Sequence, residues 1–135
     1  MKRLALFAFI ITVATTAIAQ TNKASGPAIT WEKSTFDFGD IAQGDKVEHI
    51  FKFTNTGNQP LIITNIQVTC GCTTPKGWPR DPIAAGAKGE VTIAFNSTGK
   101  LGKQNKVATV MSNAVSTDNQ IVFSANVMPK TLSGK

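Results

Sequence analysis

The sequence predicts a single-domain antiparallel β-sandwich of about seven strands. Short runs in which apolar and polar residues alternate recur along the chain, and turns containing glycine or proline separate them. Beyond residue 19, no stretch of ten or more residues has the apolar period of 3.6 that an amphipathic helix would show. At 135 residues, the chain can bury a core without a disulfide framework or a structural metal.

The N-terminus has the three parts of a secretory signal peptide, which we place at residues 1–19. Lys2 and Arg3 supply the positive start, residues 4–14 form an apolar run, and residues 17–19 are a small-x-small cleavage site. The apolar run is shorter than the roughly 20 residues that a membrane-spanning helix needs, so we expect no membrane span after cleavage. We therefore expect an exported protein, periplasmic or extracellular, in a compartment that permits disulfides.

Composition also predicts the domain boundaries. Residues 20–28 are small and polar and include Gly26 and Pro27, which is typical of a flexible linker. The sandwich is expected over residues 29–130, and residues 131–135 are expected to form a C-terminal tail.

Each predicted strand follows from its alternation pattern. The core-facing positions, in chain order, are Phe36 and Phe38; Val47, His49, Phe51 and Phe53; Ile62, Ile66, Val68, Cys70 and Cys72; Val91, Ile93 and Phe95; a weaker run at Val107, Thr109 and Met111; and Ile121, Phe123, Ala125 and Val127. The second run ends at Asn55-Thr56-Gly57-Asn58, a strong turn signal. Residues 73–86 contain three prolines and are predicted to be a loop.

Five stretches between residues 31 and 127 share the pattern of a known family. They are Phe36-Asp37-Phe38-Gly39-Asp40-Ile41, Gly44, Phe51-Lys52-Phe53-Thr54-Asn55-Thr56-Gly57, Pro60-Leu61-Ile62-Ile63 and Cys70-Gly71-Cys72-Thr73. Together they resemble a bacterial family of secreted immunoglobulin-like domains, domain of unknown function number fifteen seventy-three, and more distantly the ASH and major-sperm-protein class of sandwiches. The resemblance implies an immunoglobulin-like fold and an exported location, and it implies no established activity.

The two cysteines, Cys70 and Cys72, are separated by a single residue, Gly71. On a flat strand their Cα atoms would lie roughly 6.6 to 7 Å apart, at or beyond the upper limit for a disulfide. Because glycine can take dihedral angles that bend the chain, we expect Gly71 to be the hinge that lets a disulfide form. Closing a loop of about three residues would stabilise the fold by roughly 1.6 kcal/mol at most, so stability is a poor explanation for such a bond.

Three interpretations of Cys70 and Cys72 stay open. They can be small apolar residues joined in a structural disulfide, a thiol–disulfide or oxidant-sensing pair helped by the nearby cations Lys76 and Arg80, or a soft-metal site. Copper(I) fits better than zinc, because copper(I) accepts two thiolates whereas zinc favours four ligands and the chain has one histidine. That histidine, His49, has the parity of a core residue and would be the third ligand of a metal site.

Trp78 and Arg80 predict a partner-binding surface, since tryptophan and arginine are enriched at binding hot spots. The alternative is that Trp78 folds back to cover the open end of the core. Exposed edge strands can recruit a partner strand, so we expect a protein or peptide partner in the cell envelope, at the cysteine end of the sandwich. The lysine-rich stretch over residues 100–106 has no aromatic residue, so we expect no nucleic-acid partner.

The chain has no nucleophile motif, paired-carboxylate pattern or phosphate-binding loop. We therefore expect no enzyme activity beyond the cysteine pair and no cofactor, with copper(I) as the alternative. The predicted function is an exported immunoglobulin-like binding module of unknown ligand, and the alternative is a thiol-redox or copper(I)-handling protein that uses Cys70 and Cys72.

Overall fold

The computed structural model describes residues 25–117 and 119–130, which form two four-stranded sheets packed face to face. The predicted signal peptide, residues 1–19, and the predicted tail, residues 131–135, lie outside the described residues. The strands are β1 (Ile29–Trp31), β2 (Thr35–Ala42), β3 (Lys46–Asn55), β4 (Ile63–Val68), β5 (Thr73–Gly77), β6 (Lys88–Asn96), β7 (Gly102–Ser112) and β8 (Gln120–Met128). Nowhere in these ranges is there a helix long and apolar enough to cross a membrane.

Sheet 1 has the strand order β1-β3-β6-β5, and sheet 2 has the order β2-β8-β7-β4. Neighbouring strands are antiparallel except β2 and β8, which run parallel. The predicted β-sandwich is confirmed, with eight strands rather than about seven. The six alternating runs correspond to β2, β3, β4, β6, β7 and β8, and the two strands outside these runs are β1 and β5. The three prolines of residues 73–86 predict a loop, but β5 is an edge strand, and an edge tolerates Pro75.

Alternation places one face of most strands in a shared core. The largest fully buried side chains include Phe51 and Phe53 of β3, Phe95 of β6 and Phe123 of β8, each at most 1% exposed. Three aromatic contacts connect the sheets. Phe123 of sheet 2 lies 5.6 Å, centroid to centroid, from Phe95 of sheet 1, and His49 of sheet 1 is stacked on by Phe36 and met edge-on by Phe38, both of sheet 2. Burial of these side chains holds the sheets together.

The predicted core-facing positions are wrong throughout β7 and at Ile62 before β4, whereas Ile66 and Val68 of β4 face the core as predicted. In β7, Ala108 and Val110 are buried whereas Met111 is 38% exposed; Val107 and Val110 have opposite parity, so the local pattern does not fix the face. In β4, the register shifts between Ile63 and Asn65, so Ile63 is buried and the preceding Ile62 is exposed.

Asn55, at the end of β3, is completely buried and connects three segments of the chain. Its side-chain oxygen accepts hydrogen bonds from the backbone N–H groups of Ala28 (3.2 Å) and Gly57 (3.1 Å). Its amide group donates to the carbonyls of Gln59 (2.8 Å) and Ile83 (2.9 Å). These bonds use both donors and both acceptor positions of the side chain.

Residues 26–28 pack tightly against the turn that follows Asn55. All three residues are buried, and the backbone N–H of Gly26 donates to the side-chain oxygen of Asn58 (2.7 Å). A Cβ on Gly57 would overlap the backbone of this segment and lie 2.6 Å from the nitrogen of Ala28. The predicted flexible linker is therefore wrong for residues 26–28, because small residues are needed here for close backbone packing; residues 20–24 lie outside the described ranges.

Asn55→Ala should lower the free energy of unfolding by about 3 kcal/mol or more, because it leaves buried N–H and carbonyl groups without partners. Asn105→Ala, at an exposed position of β7, is the matched control and should change stability by less than about 0.5 kcal/mol. Urea unfolding followed by circular dichroism measures both. Equal effects of the two substitutions would contradict the role given to Asn55.

Candidate functional site

The two cysteines lie in the crossover that carries the chain from β4, an edge strand of sheet 2, to β5, an edge strand of sheet 1. The sulfurs of Cys70 and Cys72 are at disulfide-bonding distance, and the Cα atoms are 5.3 Å apart. The apolar run that was predicted to continue through Cys72 ends at Val68, because the chain leaves sheet 2 there. The cysteines are thus at one edge of the sandwich, between the two sheets.

A turn brings the cysteines together. The backbone N–H of Thr73 donates to the carbonyl of Cys70 (3.1 Å) and closes this turn. Gly71 does not have a positive φ, and a Cβ on Gly71 would meet no described atom within 4 Å. The expectation that Gly71 is a glycine-specific hinge is therefore wrong, since residues with a side chain can occupy this position of the turn.

The two sulfurs have different surroundings. The backbone N–H of Cys72 donates to the sulfur of Cys70 at 3.1 Å. The sulfur of Cys72 has the hydroxyl of Thr73 at 4.0 Å, and the Cys72 side chain packs partly against the core. Both cysteines are partly exposed. Each sulfur therefore has a hydrogen-bond donor next to it, and the donor at Cys70 is the closer of the two, at 3.1 Å against 4.0 Å.

A groove of about 280 Å³ on the outer face of sheet 1 reaches Cys72. The other residues that line it are Lys46 and Glu48 of β3, Thr74 and Lys76 of β5, and Ala94, Phe95 and Asn96 of β6. Lys76 forms an ion pair with Glu48, whereas no carboxylate of the described residues forms an ion pair with Lys46. The groove thus places a cation that has no ion-pair partner close to a disulfide.

The sequence pattern carries part of the signal for this groove but does not predict it. Glu48 lies between the core-facing positions Val47 and His49 and therefore has the parity of a polar-face residue, but Lys76 lies in residues 73–86, which the prolines predict to be a loop. Because β5 and β3 flank β6, the two residues face each other across that strand and pair despite their separation of 28 positions. Knowledge of the strand order was needed to bring them together.

His49 lies on the core-facing side of β3 and points away from the groove. Its ring stacks on Phe36 with centroids 3.5 Å apart and meets Phe51 edge-on at 4.8 Å. Glu48, the preceding residue, lines the groove on the opposite face of the sheet. In the described ranges, no three His, Cys, Asp or Glu side chains lie close enough to hold a metal ion. The predicted metal ligand His49 is thus not brought to Cys70 and Cys72, and copper(I) binding by the two thiolates alone stays a prediction.

Cys72 precedes β5, whereas Trp78 and Arg80 follow it, so the whole strand, roughly 17 Å long, separates them from Cys72. Trp78 packs against the core, and its indole N–H is buried without a hydrogen-bond partner among the described residues. The guanidinium carbon of Arg80 lies 3.8 Å from the centroid of the Trp78 ring. Trp78 therefore covers the core, as the alternative interpretation held, while Arg80 is exposed and accessible.

The free edge of β5 is poorly suited to the addition of a partner strand. The N–H of Asn96 donates to the carbonyl of Cys72 (2.9 Å). Because the backbone groups of successive residues point to opposite sides of a strand, those of Thr73 and Pro75 point away from β6, towards the free edge. The N–H of Thr73 is already bonded to Cys70, and Pro75 has no N–H. The first two outward positions therefore offer no donor, so strand recruitment is not supported at this edge.

The family model described as "Protein of unknown function (DUF1573)" matches residues 29–127, which include all the strands up to the penultimate residue of β8 and both cysteines. The chain belongs to this family. The match confirms the resemblance found in the sequence. No curated protein matches the DUF1573 chain.

Solved structures share the fold at low sequence identity. A protein of unknown function from Porphyromonas gingivalis W83 has a TM-score of 0.63 and 17% identity, over 82% of this chain and 51% of that chain. The secreted serine protease VesC from Vibrio cholerae has a TM-score of 0.54 and 16% identity, over 76% of this chain and 23% of that chain. The ASH/PapD-like domain 7 of human CEP192 has a TM-score of 0.56 and 10% identity, over 90% of this chain and 98% of that chain.

The DUF1573 chain therefore spans about half of the Porphyromonas gingivalis chain and about a quarter of VesC. At these identities the matches show the fold alone. The human domain, which corresponds to this chain over nearly its whole length, confirms the more distant resemblance to ASH sandwiches.

The packing of His49 predicts a pH-dependent stability. Burial lowers the pKa of His49, because desolvation disfavours the charged imidazole. The unfolded chain, with a pKa near 6.5, then binds the proton more tightly than the folded chain, so this contribution to stability is lost as pH falls below about 6.5. The free energy of unfolding should decrease between about pH 7 and 5 more steeply for the unmodified protein than for His49→Phe. Parallel pH curves for the two proteins would contradict this.

The turn at Gly71 predicts that alanine is tolerated there. Equilibration against a glutathione series should give Gly71→Ala a reduction midpoint shifted by well under 30 mV, the change that about 1.4 kcal/mol of strain would produce. Gly57→Ala is the contrasting glycine variant, and its backbone overlap should lower the free energy of unfolding by about 2 kcal/mol or more. A midpoint shift of 30 mV or more in Gly71→Ala would restore the glycine-hinge interpretation.

Proposed function

We propose that this DUF1573 domain is an exported protein-binding module whose partner lies in the groove beside Cys72. The observation that carries the proposal is the lining of the groove. It includes the unpaired cation Lys46 and Cys72 of the disulfide on one surface at the edge of the sandwich. Because Lys46 has no ion-pair partner within the domain and the disulfide is next to the same groove, this surface favours an external partner.

The partner is an extended acidic segment of another protein. Among the residues that line the groove, two lysines face one glutamate, so the charge is 2 − 1 = +1. Thr74 and Asn96 add a hydroxyl and an amide that can hydrogen-bond a peptide backbone. Because the edge of β5 lacks outward donors, the segment lies across the outer face of sheet 1 and is held by side chains.

Arg80 extends the same surface. It lies exposed at the far end of β5, and Trp78 beneath it holds its guanidinium in place by a cation–π contact. A segment that starts at the groove and follows β5 passes along roughly 17 Å of strand, the length of about five extended residues, before it comes to Trp78 and Arg80. Arg80 is thus the second positive contact for an acidic partner.

Export and the absence of catalysis are part of the proposal. The N-terminal residues 1–19 have the composition of a secretory signal, and VesC, which shares the fold, is a secreted protein. The sequence has no catalytic motif apart from the cysteine pair, and immunoglobulin-like sandwiches are common in extracellular and cell-surface domains.

Photo-cross-linking in the native cell envelope tests the site. A photoreactive phenylalanine analogue at Thr74, in the groove, should give adducts with a partner protein, and Lys46→Glu or Arg80→Ala should reduce their yield. The matched control carries the same analogue at Asn105 on the outer face of sheet 2 and should not capture that partner. No adduct from Thr74, or the same adducts from Asn105, would contradict the proposal.

A further inference from the structure

The disulfide is asymmetric in two independent respects. The sulfur of Cys70 accepts a hydrogen bond from the backbone N–H of Cys72 at 3.1 Å. Cys72, and not Cys70, lines the groove on the outer face of sheet 1. Cys70 therefore has the closer donor to stabilise negative charge on its sulfur, since the Thr73 hydroxyl is 4.0 Å from the sulfur of Cys72, and Cys72 is the cysteine that borders the surface where a partner would approach.

We propose that the Cys70–Cys72 pair is a thiol–disulfide exchange site with a fixed direction of attack. A thiolate of a molecule in the groove attacks the sulfur of Cys72, and the sulfur of Cys70 leaves as a thiolate that the backbone N–H of Cys72 stabilises. Exchange is faster when the leaving thiol has a low pKa, so this direction is favoured over attack on Cys70. That the attacking thiol belongs to a protein partner rests on the proposed function; the inequality of the two sulfurs does not.

The exchange balances without a further reactant if the partner carries two thiols. In the first step, the bond between Cys70 and Cys72 breaks, a bond forms between the partner sulfur and Cys72, and the electron pair of the broken bond stays on Cys70. In the second step, the other partner thiolate attacks the first partner sulfur, and Cys72 leaves as a thiolate. The partner dithiol is oxidised by two electrons to a disulfide, the pair in this domain is reduced, and the two protons of the partner thiols pass to Cys70 and Cys72.

The hydrogen bond to Cys70 acts in a field set by a small number of charges. Lys46 and Glu48 of β3 and Lys76 of β5 line the adjoining groove, and Lys76 pairs with Glu48. The neighbouring part of β6 contributes no charged side chain to that lining. On sheet 2, Lys106 lies on β7 two positions before Ala108, the first residue of β7 that pairs with β4. Two lysines and one glutamate give the groove lining a positive charge, which also favours a thiolate over a thiol.

Two single-cysteine variants test the inequality without any partner. Cys72→Ser keeps the backbone N–H that faces Cys70, so the pH midpoint of Cys70 alkylation by iodoacetamide should lie about one unit below that of Cys72 in Cys70→Ser. Near pH 7 the ionised fraction would then differ about tenfold. Circular dichroism confirms that both variants keep the sandwich. Equal midpoints, or a lower midpoint for Cys72, would overturn the proposal.

A second measurement uses the unmodified protein with glutathione as the thiol probe. The oxidised protein is mixed with reduced glutathione, quenched in acid, and fragmented in a mass spectrometer to locate the mixed disulfide. Glutathione should be found on Cys72, with Cys70 as the free thiol. Glutathione mainly on Cys70 would overturn the direction of attack, even if partner cross-linking at Thr74 succeeds. Conversely, glutathione on Cys72 together with no cross-link at Thr74 would support the exchange site and contradict the proposed protein-binding groove.

Discussion

The buried side chain of Asn55 is the polar constraint on which the arrangement of the chain depends. Its four hydrogen bonds connect the entry to β1, the turn after β3 and the segment at Ile83. The backbone of Asn55 adds bonds to Gly86 and Ala87, directly before β6. Because leaving any of these buried groups unpaired costs free energy, few arrangements of these segments are compatible with a folded core.

This constraint positions the candidate site. Fixing the segment from Ile83 to Ala87 sets where β6 begins, and β6 in turn pairs with both β3 and β5. The groove beside Cys72 is made from these three strands, so its shape depends on the hydrogen bonds of Asn55 at the other end of β3. The crossover itself is held by the turn between Cys70 and Thr73 and by the pairing of Cys72 with Asn96.

The disulfide can therefore serve chemistry, because the sandwich is held by other contacts. A bond that closes about three residues contributes roughly 1.6 kcal/mol at most, whereas truncating one buried phenylalanine such as Phe51 or Phe95 costs about 3 to 5 kcal/mol. A redox change at the crossover would leave the core intact. The partly exposed pair is thus free to exchange with a thiol that reaches Cys72.

The sequence was sufficient for the sandwich and insufficient for the site. Alternation at Phe51, Phe53 and residues 121–127 predicted buried faces correctly, since hydrophobic period and sheet geometry agree there. The alternation pattern missed β5, because the edge position of this strand overrides the effect of Pro75. The expectation that Gly71 is a glycine-specific hinge was wrong, because a turn closed by Thr73 supplies the bend. The groove depends on strand order, and no local pattern carries that information.

The most direct test of the account is the stability of a double variant, Cys70→Ser with Cys72→Ser, measured by urea unfolding against the oxidised protein. If the fold depends on Asn55 and the phenylalanine core, the variant will keep its β-sheet spectrum and lose no more than about 1.6 kcal/mol of unfolding free energy. A variant that is unfolded, or that loses about 4 kcal/mol or more, would show that the disulfide is a structural bond and would contradict the claim that it is available for exchange.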